Sequence, residues 1–139
     1  MIAILTIPGK AQAKQRARTF YNKAVGHIST WTPDATTNYE TYVKMLYAQK
    51  GLPMFDCPVS LQVDIFMAVP VSESKKKREL KLLNQILPTK KPDIDNIVKS
   101  IKDALNKVAW KDDSYVVDLI AKKRYAENDS VTITIKEAS

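Results

Sequence analysis

The sequence predicts an α+β fold, a single compact domain in which helices pack on a mixed β-sheet. Two observations lead there. Strand-like and helix-like apolar patterns follow one another in the order strand, helix, strand, helix and then a pair of strands. The chain has 139 residues, 45% of them apolar, which supports a substantial core and is most simply one domain, 1–139.

Residues 2–7 are apolar and β-branched, and Pro8-Gly9 closes them, so they read as the first strand. The segment that follows is basic, with Lys10, Lys14, Arg16 and Arg18, and no acid comes before Asp34. Such a run is either a solvated surface loop or a grip on phosphates. A short strand at 19–21 is a candidate continuation. Thr32-Pro33-Asp34 opens a helix over 36–50, with Pro33 near its first position and Tyr39, Val43, Leu46 and Tyr47 as its core stripe. Gly51 ends it. In 59–69, Val59, Leu61, Val63, Ile65 and Met67 alternate with more polar residues, the pattern of a half-buried strand. Residues 72–91 hold Lys75, Lys76, Lys77, Arg78, Lys81, Lys90 and Lys91, with a short helix suggested around Leu80, Leu83 and Ile86. After the next helix, strands at 115–125 and 131–135 flank the turn Glu127-Asn128-Asp129-Ser130, and a hairpin is expected.

The stretch 90–113 gathers the chemistry. Ile94, Ile97, Val98, Ile101, Leu105 and Val108 fall at helical spacing and make one buried stripe. Asp95, Lys99 and Asp103 sit four apart on a different face. Pro92 disfavours helix at Lys91, so the helix starts just after it, with Asp93 at or beside the N-cap and Asp95 in the first turn. Asp112 and Asp113 follow Trp110, ahead of the strand. If the fold returns Asp113 to Asp93 and Asp95, each pair about 4 Å apart repels by ~4 kcal/mol at an effective dielectric near 20. Protons or a cation must relieve that. Three carboxylates are hard donors, suited to Mg²⁺ or Mn²⁺ rather than Zn²⁺. Such an ion beside a lysine suits phosphodiester hydrolysis. The bland alternatives are an N-cap, ordinary i,i+4 ion pairs and a solvated turn.

Other chemistries are poorly supplied. The net charge of +7 favours an anionic partner such as nucleic acid. Cys57 is alone, so no internal disulfide forms and a reducing cytoplasm fits. Residues 2–7 lack a basic n-region and are too short for a signal peptide, and nothing approaches the ~20 apolar residues of a membrane span. His27 and Cys57 lack a second zinc ligand at a useful spacing, and Cys57 reads as a small buried residue, although a cysteine–histidine pair stays open. Three glycines leave no phosphate-cradling loop. Trp110 reads as core rather than as a base-stacking platform.

Three segments together carry a resemblance. They are Pro92-Asp93-Ile94-Asp95-Asn96-Ile97-Val98-Lys99, Asp103-Ala104-Leu105-Asn106, and Trp110-Lys111-Asp112-Asp113-Ser114-Tyr115-Val116. They resemble the RusA family of Holliday-junction resolvases, found in bacteria and often in prophages. Ile7-Pro8-Gly9 with Lys14, Arg16 and Arg18 resembles the N-terminal loop of its phage-type members. The resemblance implies a RusA-like homodimer, a Mg²⁺-dependent endonuclease that places paired nicks across four-way DNA junctions in recombination and repair. Carried over, the acidic triad is Asp93, Asp95 and Asp113, and the lysine of the motif is Lys99. Pro92 stands where some members carry a basic residue, with Lys90 and Lys91 close by. The DNA-binding candidates are Lys10, Lys14, Arg16, Arg18, Lys75, Lys76, Lys77, Arg78, Lys90 and Lys91. Two rival readings are a noncatalytic nucleic-acid-binding module and an interaction protein whose acids merely cap a helix. A nuclease trimming other branched DNA also fits the motif.

Overall fold

The computed structural model describes the backbone of residues 1–14, 18–22, 27–31 and 34–139, and the side chains of 1–14 and 38–139. Four strands form the main sheet: β1 (Ile2–Pro8), β4 (Val59–Ala68), β5 (Val116–Ala126) and β6 (Ser130–Glu137), in the spatial order β1-β6-β4-β5. β6 is antiparallel to both neighbours, whereas β4 and β5 run parallel, so the sheet is mixed as expected. β2 (Arg18–Asn22) and β3 (His27–Trp31) pair separately as a two-stranded ribbon. The reading of 19–21 as strand agrees with β2. β3 was not foreseen, because the five residues His-Ile-Ser-Thr-Trp carry no clear alternation and become a strand through pairing with β2.

The helices are α1 (Asp34–Gln49), α2 (Lys75–Leu82) and α3 (Ile94–Leu105). Every second residue of β4 is buried, and Ala3, Leu5 and Ile7 of β1 and Val131, Ile133 and Ile135 of β6 join them. Tyr39, Val43 and Tyr47 of α1 and Ile97, Ile101, Ala104 and Leu105 of α3 complete one core with them. Burying each large aliphatic of the α3 stripe contributes about 1.5–3 kcal/mol, which fixes the helix's rotation and so the direction of its polar face. α3 stops at Leu105, a turn before Val108, because Lys107 adopts a left-handed φ of 64°. Trp110 lies fully buried, in the core as read from the sequence.

α2 begins earlier than Leu80, Leu83 and Ile86 suggested. Ser74 caps it, its hydroxyl accepting from Lys77 N at 3.3 Å, and Asn84, with φ of 61°, lies just beyond its end. None of its residues is fully buried. Lys81 reaches back over the Tyr125 ring and pairs with Glu73.

The expected hairpin between the last two strands does not form. β4 lies between β5 and β6 and pairs with both. The loop from Ala126 to Ser130 straddles the end of β4. Val69 N donates to Ala126 O (3.0 Å), Ala68 N to Asp129 Oδ1 (2.9 Å), and Gly9 N to Asp129 O (3.0 Å). Two strand spacings are about 10 Å, within reach of a few extended residues, so the same turn residues serve a hairpin or a one-strand skip. The alternating, strongly apolar β4 takes the central place because both of its edges are then paired.

Candidate active site

The N-terminus of α3 presents its acids to solvent because the apolar stripe occupies the opposite side. Asp93 holds the N-cap position with extended backbone, yet its side chain makes no capping hydrogen bond. Asp95 and Lys99 are exposed, one turn apart. The i,i+4 pairs that could have absorbed them, Asp95 with Lys99 and Lys99 with Asp103, are not ion pairs in the structure. Asp103 engages Lys14 (3.1 Å). Among the described residues, Asp93, Asp95 and Lys99 have no hydrogen-bond or salt-bridge partner for their side chains. Exposed to water, these charges stay solvated and are open to an incoming ligand.

A cleft of about 470 Å³ opens between α3 and β5. Asp95, Lys99, Lys102, Asp103 and Asp113 line it, and Leu119 and Ala121 of β5 contribute apolar wall. Leu119 and Ala121 pair in register with the buried Leu61 and Val63, so they share the helix-bearing face of the sheet.

Asp112 and Asp113 look alike in sequence and are used differently. Asp112 Oδ2 accepts from Ser114 Oγ (2.7 Å) and Ser114 N (3.0 Å), and these two bonds hold the carboxyl below its ordinary pKa. It caps the single helical turn Asp113–Tyr115. Asp113 is half-buried, and its Oδ1 accepts from the indole Nε1 of Trp110 at 3.0 Å. Trp110 is wholly inside the core, so this bond ties Asp113 to the packed interior.

Asp93 lines a neighbouring pocket of about 340 Å³ with Lys10, Gln12, Lys91 and Asn96. The entry to α3 is held by a residue the sequence reading did not single out. Lys123 Nζ donates to Lys90 O (2.8 Å) and Pro92 O (3.0 Å). It sits on the helix-bearing face of β5, opposite Ile65. A lysine at an inward position of a strand was the signal that could have found it. The indole N–H of Trp110 was likewise missed, since three-residue spacing to Asp113 does not reveal an indole–carboxylate bond.

Asp95 and Asp113 thus line one cleft, while Asp93 flanks it. Among the described residues, no three acidic, histidine or cysteine side chains stand close enough to form a metal cage on their own. The donor set still fits a hard cation of the Mg²⁺ kind, which commonly uses one or two carboxylates and completes its shell with water and substrate phosphate.

Of the basic candidates, Lys10, Lys75, Lys76, Lys77, Lys90 and Lys91 are exposed and Arg78 is partly so. Lys14 has its ammonium on Glu40 (2.7 Å) and Asp103 (3.1 Å). Arg16 lies outside the described residues, as does the side chain of Arg18. His27 falls in β3 with its side chain undescribed, and Cys57 is a partly buried free thiol. Among the described residues no helix is long and apolar enough to cross a membrane.

The chain matches known proteins along most of its length. The family model for the endodeoxyribonuclease RusA matches residues 8–136. An uncharacterized protein of Bacillus subtilis (strain 168), YqaN, is 37% identical over 137 residues, covering 96% of this chain and 95% of its own. A crossover junction endodeoxyribonuclease, rusA, of Lactococcus phage r1t is 27% identical over 116 residues, covering 83% and 82%. A match running from the end of the first strand through the acidic helix and into the last strand covers most of the chain, and the chain belongs to the RusA endodeoxyribonuclease family.

Proposed function

We infer that the protein is a divalent-metal-dependent endonuclease that resolves four-way DNA junctions by paired nicks, working as a homodimer. The observation that carries this reading is the cleft in which unpaired Asp95 and Lys99 face Asp113, in a chain of this family. Asp95 and Asp113 from the cleft, with Asp93 from its flank, would hold Mg²⁺ together with water and substrate phosphate, with Mn²⁺ as a substitute. When bound, such an ion activates water and stabilises charge on the phosphate. The protein's own groups do the rest. Trp110 keeps Asp113 turned into the cleft. Lys123 fixes the turn from which Asp93 emerges. Lys99, with no carboxylate partner among the described residues, is free to donate to a phosphate oxygen as charge develops there. Lys10 and Lys91 stand beside Asp93 and, with Lys90 and the cations of α2, grip the DNA arms. A four-armed substrate nicked symmetrically calls for two sites related by a two-fold axis, which a homodimer supplies.

The decisive experiment is Asp95→Asn assayed on a synthetic four-way junction, a fork and a plain duplex. Nicking of the junction in Mg²⁺ should vanish while binding in Ca²⁺ stays near that of the unchanged protein. Loss of binding and folding in parallel with nicking would assign Asp95 a structural role and overturn the reading.

A further inference from the structure

Among the described residues of the basic N-terminal segment, Lys14 is a partly buried lysine whose ammonium is turned onto two carboxylates. The Lys14 ammonium lies 2.7 Å from Glu40 Oε1 of α1 and 3.1 Å from Asp103 Oδ2 of α3. Its backbone N–H donates to Asn96 O at 2.9 Å. Two residues earlier, Gln12 O accepts from the buried Ser100 Oγ at 2.7 Å, and Ala11 is buried in the core. Asn96, Ser100 and Asp103 follow one another by four and three residues, so the contacts run along one stripe of α3. The far end of the same segment places Lys10 in the pocket beside Asp93, and Asp103 is itself a wall of the cleft.

We propose that Lys14 is a positioning residue rather than a phosphate contact, clamping residues 10–14 to α1 and α3 so that Lys10 and Asp103 keep their places around the acidic site. Glu40 belongs to the same device, although it sits on a helix that lines neither of the two pockets. Burial opposes the charge on Lys14, yet the hydrogen bonds and charges of Glu40 and Asp103 prevail and hold its pKa above the ordinary lysine value, so the link stays ionised in neutral solution.

The proposal rests on the endonuclease reading and makes a prediction of unusual sign. Removing an acid from a DNA-binding protein ordinarily relieves repulsion and tightens binding. Here Glu40→Gln should slow nicking of a four-way junction by roughly ten- to a hundredfold, the penalty for a displaced group near reacting atoms. Lys14→Met should do the same, and the double variant should be no worse than either single one. The slope of log affinity against log salt, measured in Ca²⁺, should not change for Lys14→Met. A slope shallower by about 0.9, the mark of one phosphate no longer neutralised, would overturn the clamp. So would Glu40→Gln nicking as fast as the unchanged protein, or melting of both variants without a folded state. Amide exchange at Lys14 reads the clamp without any activity, and Glu40→Gln should speed it; unchanged exchange would also overturn it. Failure of the unchanged protein to nick any branched DNA in Mg²⁺ would strike the endonuclease reading instead, leaving amide exchange to decide the clamp.

Discussion

The bond from the Trp110 indole to Asp113 shows how much can depend on a single proton donor. A hydrogen bond to a charged group contributes about 1.5–3 kcal/mol, and its loss leaves Asp113 free to turn away from the cleft. Trp110→Phe should therefore lower the nicking rate while junction affinity in Ca²⁺ holds, and should lower the urea midpoint as the core loses volume. Asp112 acts on stability and not on the cleft. Its folded pKa is depressed, so its contribution is present above the ordinary carboxylate value and is lost as pH falls through the folded value. Asp112→Asn should accordingly flatten part of the acid limb of a stability-against-pH curve. At this scale the sequence pointed to Asp93, Asp95, Lys99 and Asp113, because helical phase and motif spacing are local properties. It could not point to Lys14 meeting Glu40 and Asp103, or to Lys123 meeting Pro92 O. Those partners are brought together only by tertiary packing.

The helix α3 was legible almost to its ends, since a strong apolar stripe and a proline boundary both act within a few residues. Its final turn was overread because Val108 continues the period while Lys107 breaks the helix. The pairing of β5 and β6 was the larger miss. Turn composition tells where a chain reverses and is silent on which strand it reverses beside. What settles the order is the competition for the central position, and Asp129 secures the result. Asp129→Ala leaves Ala68 N without its acceptor, at a cost of about 1–3 kcal/mol measurable by denaturant unfolding. Gly9, at φ 97° and bonded to Asp129 O, belongs to the same junction. Open space surrounds a Cβ there, so Gly9→Ala should cost only the backbone strain, about 1–2 kcal/mol.

Taken as a whole, the molecule carries a +7 charge unevenly, with Lys75, Lys76 and Lys77 exposed along α2 and Lys90 and Lys91 at the mouth of the acidic site. Composition alone announced an anionic partner, while the fold decides which cations are available to it. Replacing Lys75, Lys76 and Lys77 by glutamine should reduce the salt slope of junction binding by up to ~0.9 for each phosphate those lysines neutralise. The position of β6 has a consequence for biosynthesis. β6 follows β1, β4 and β5 in the chain and is the strand that joins β1 to β4, so until it is synthesised the nascent sheet exists as two unconnected pieces with open edges. A chain stalled before Ser130 would hold the complete acidic helix and still lack the scaffold that steadies it. Support for the acidic site in this architecture therefore waits on a strand made well after the acids themselves.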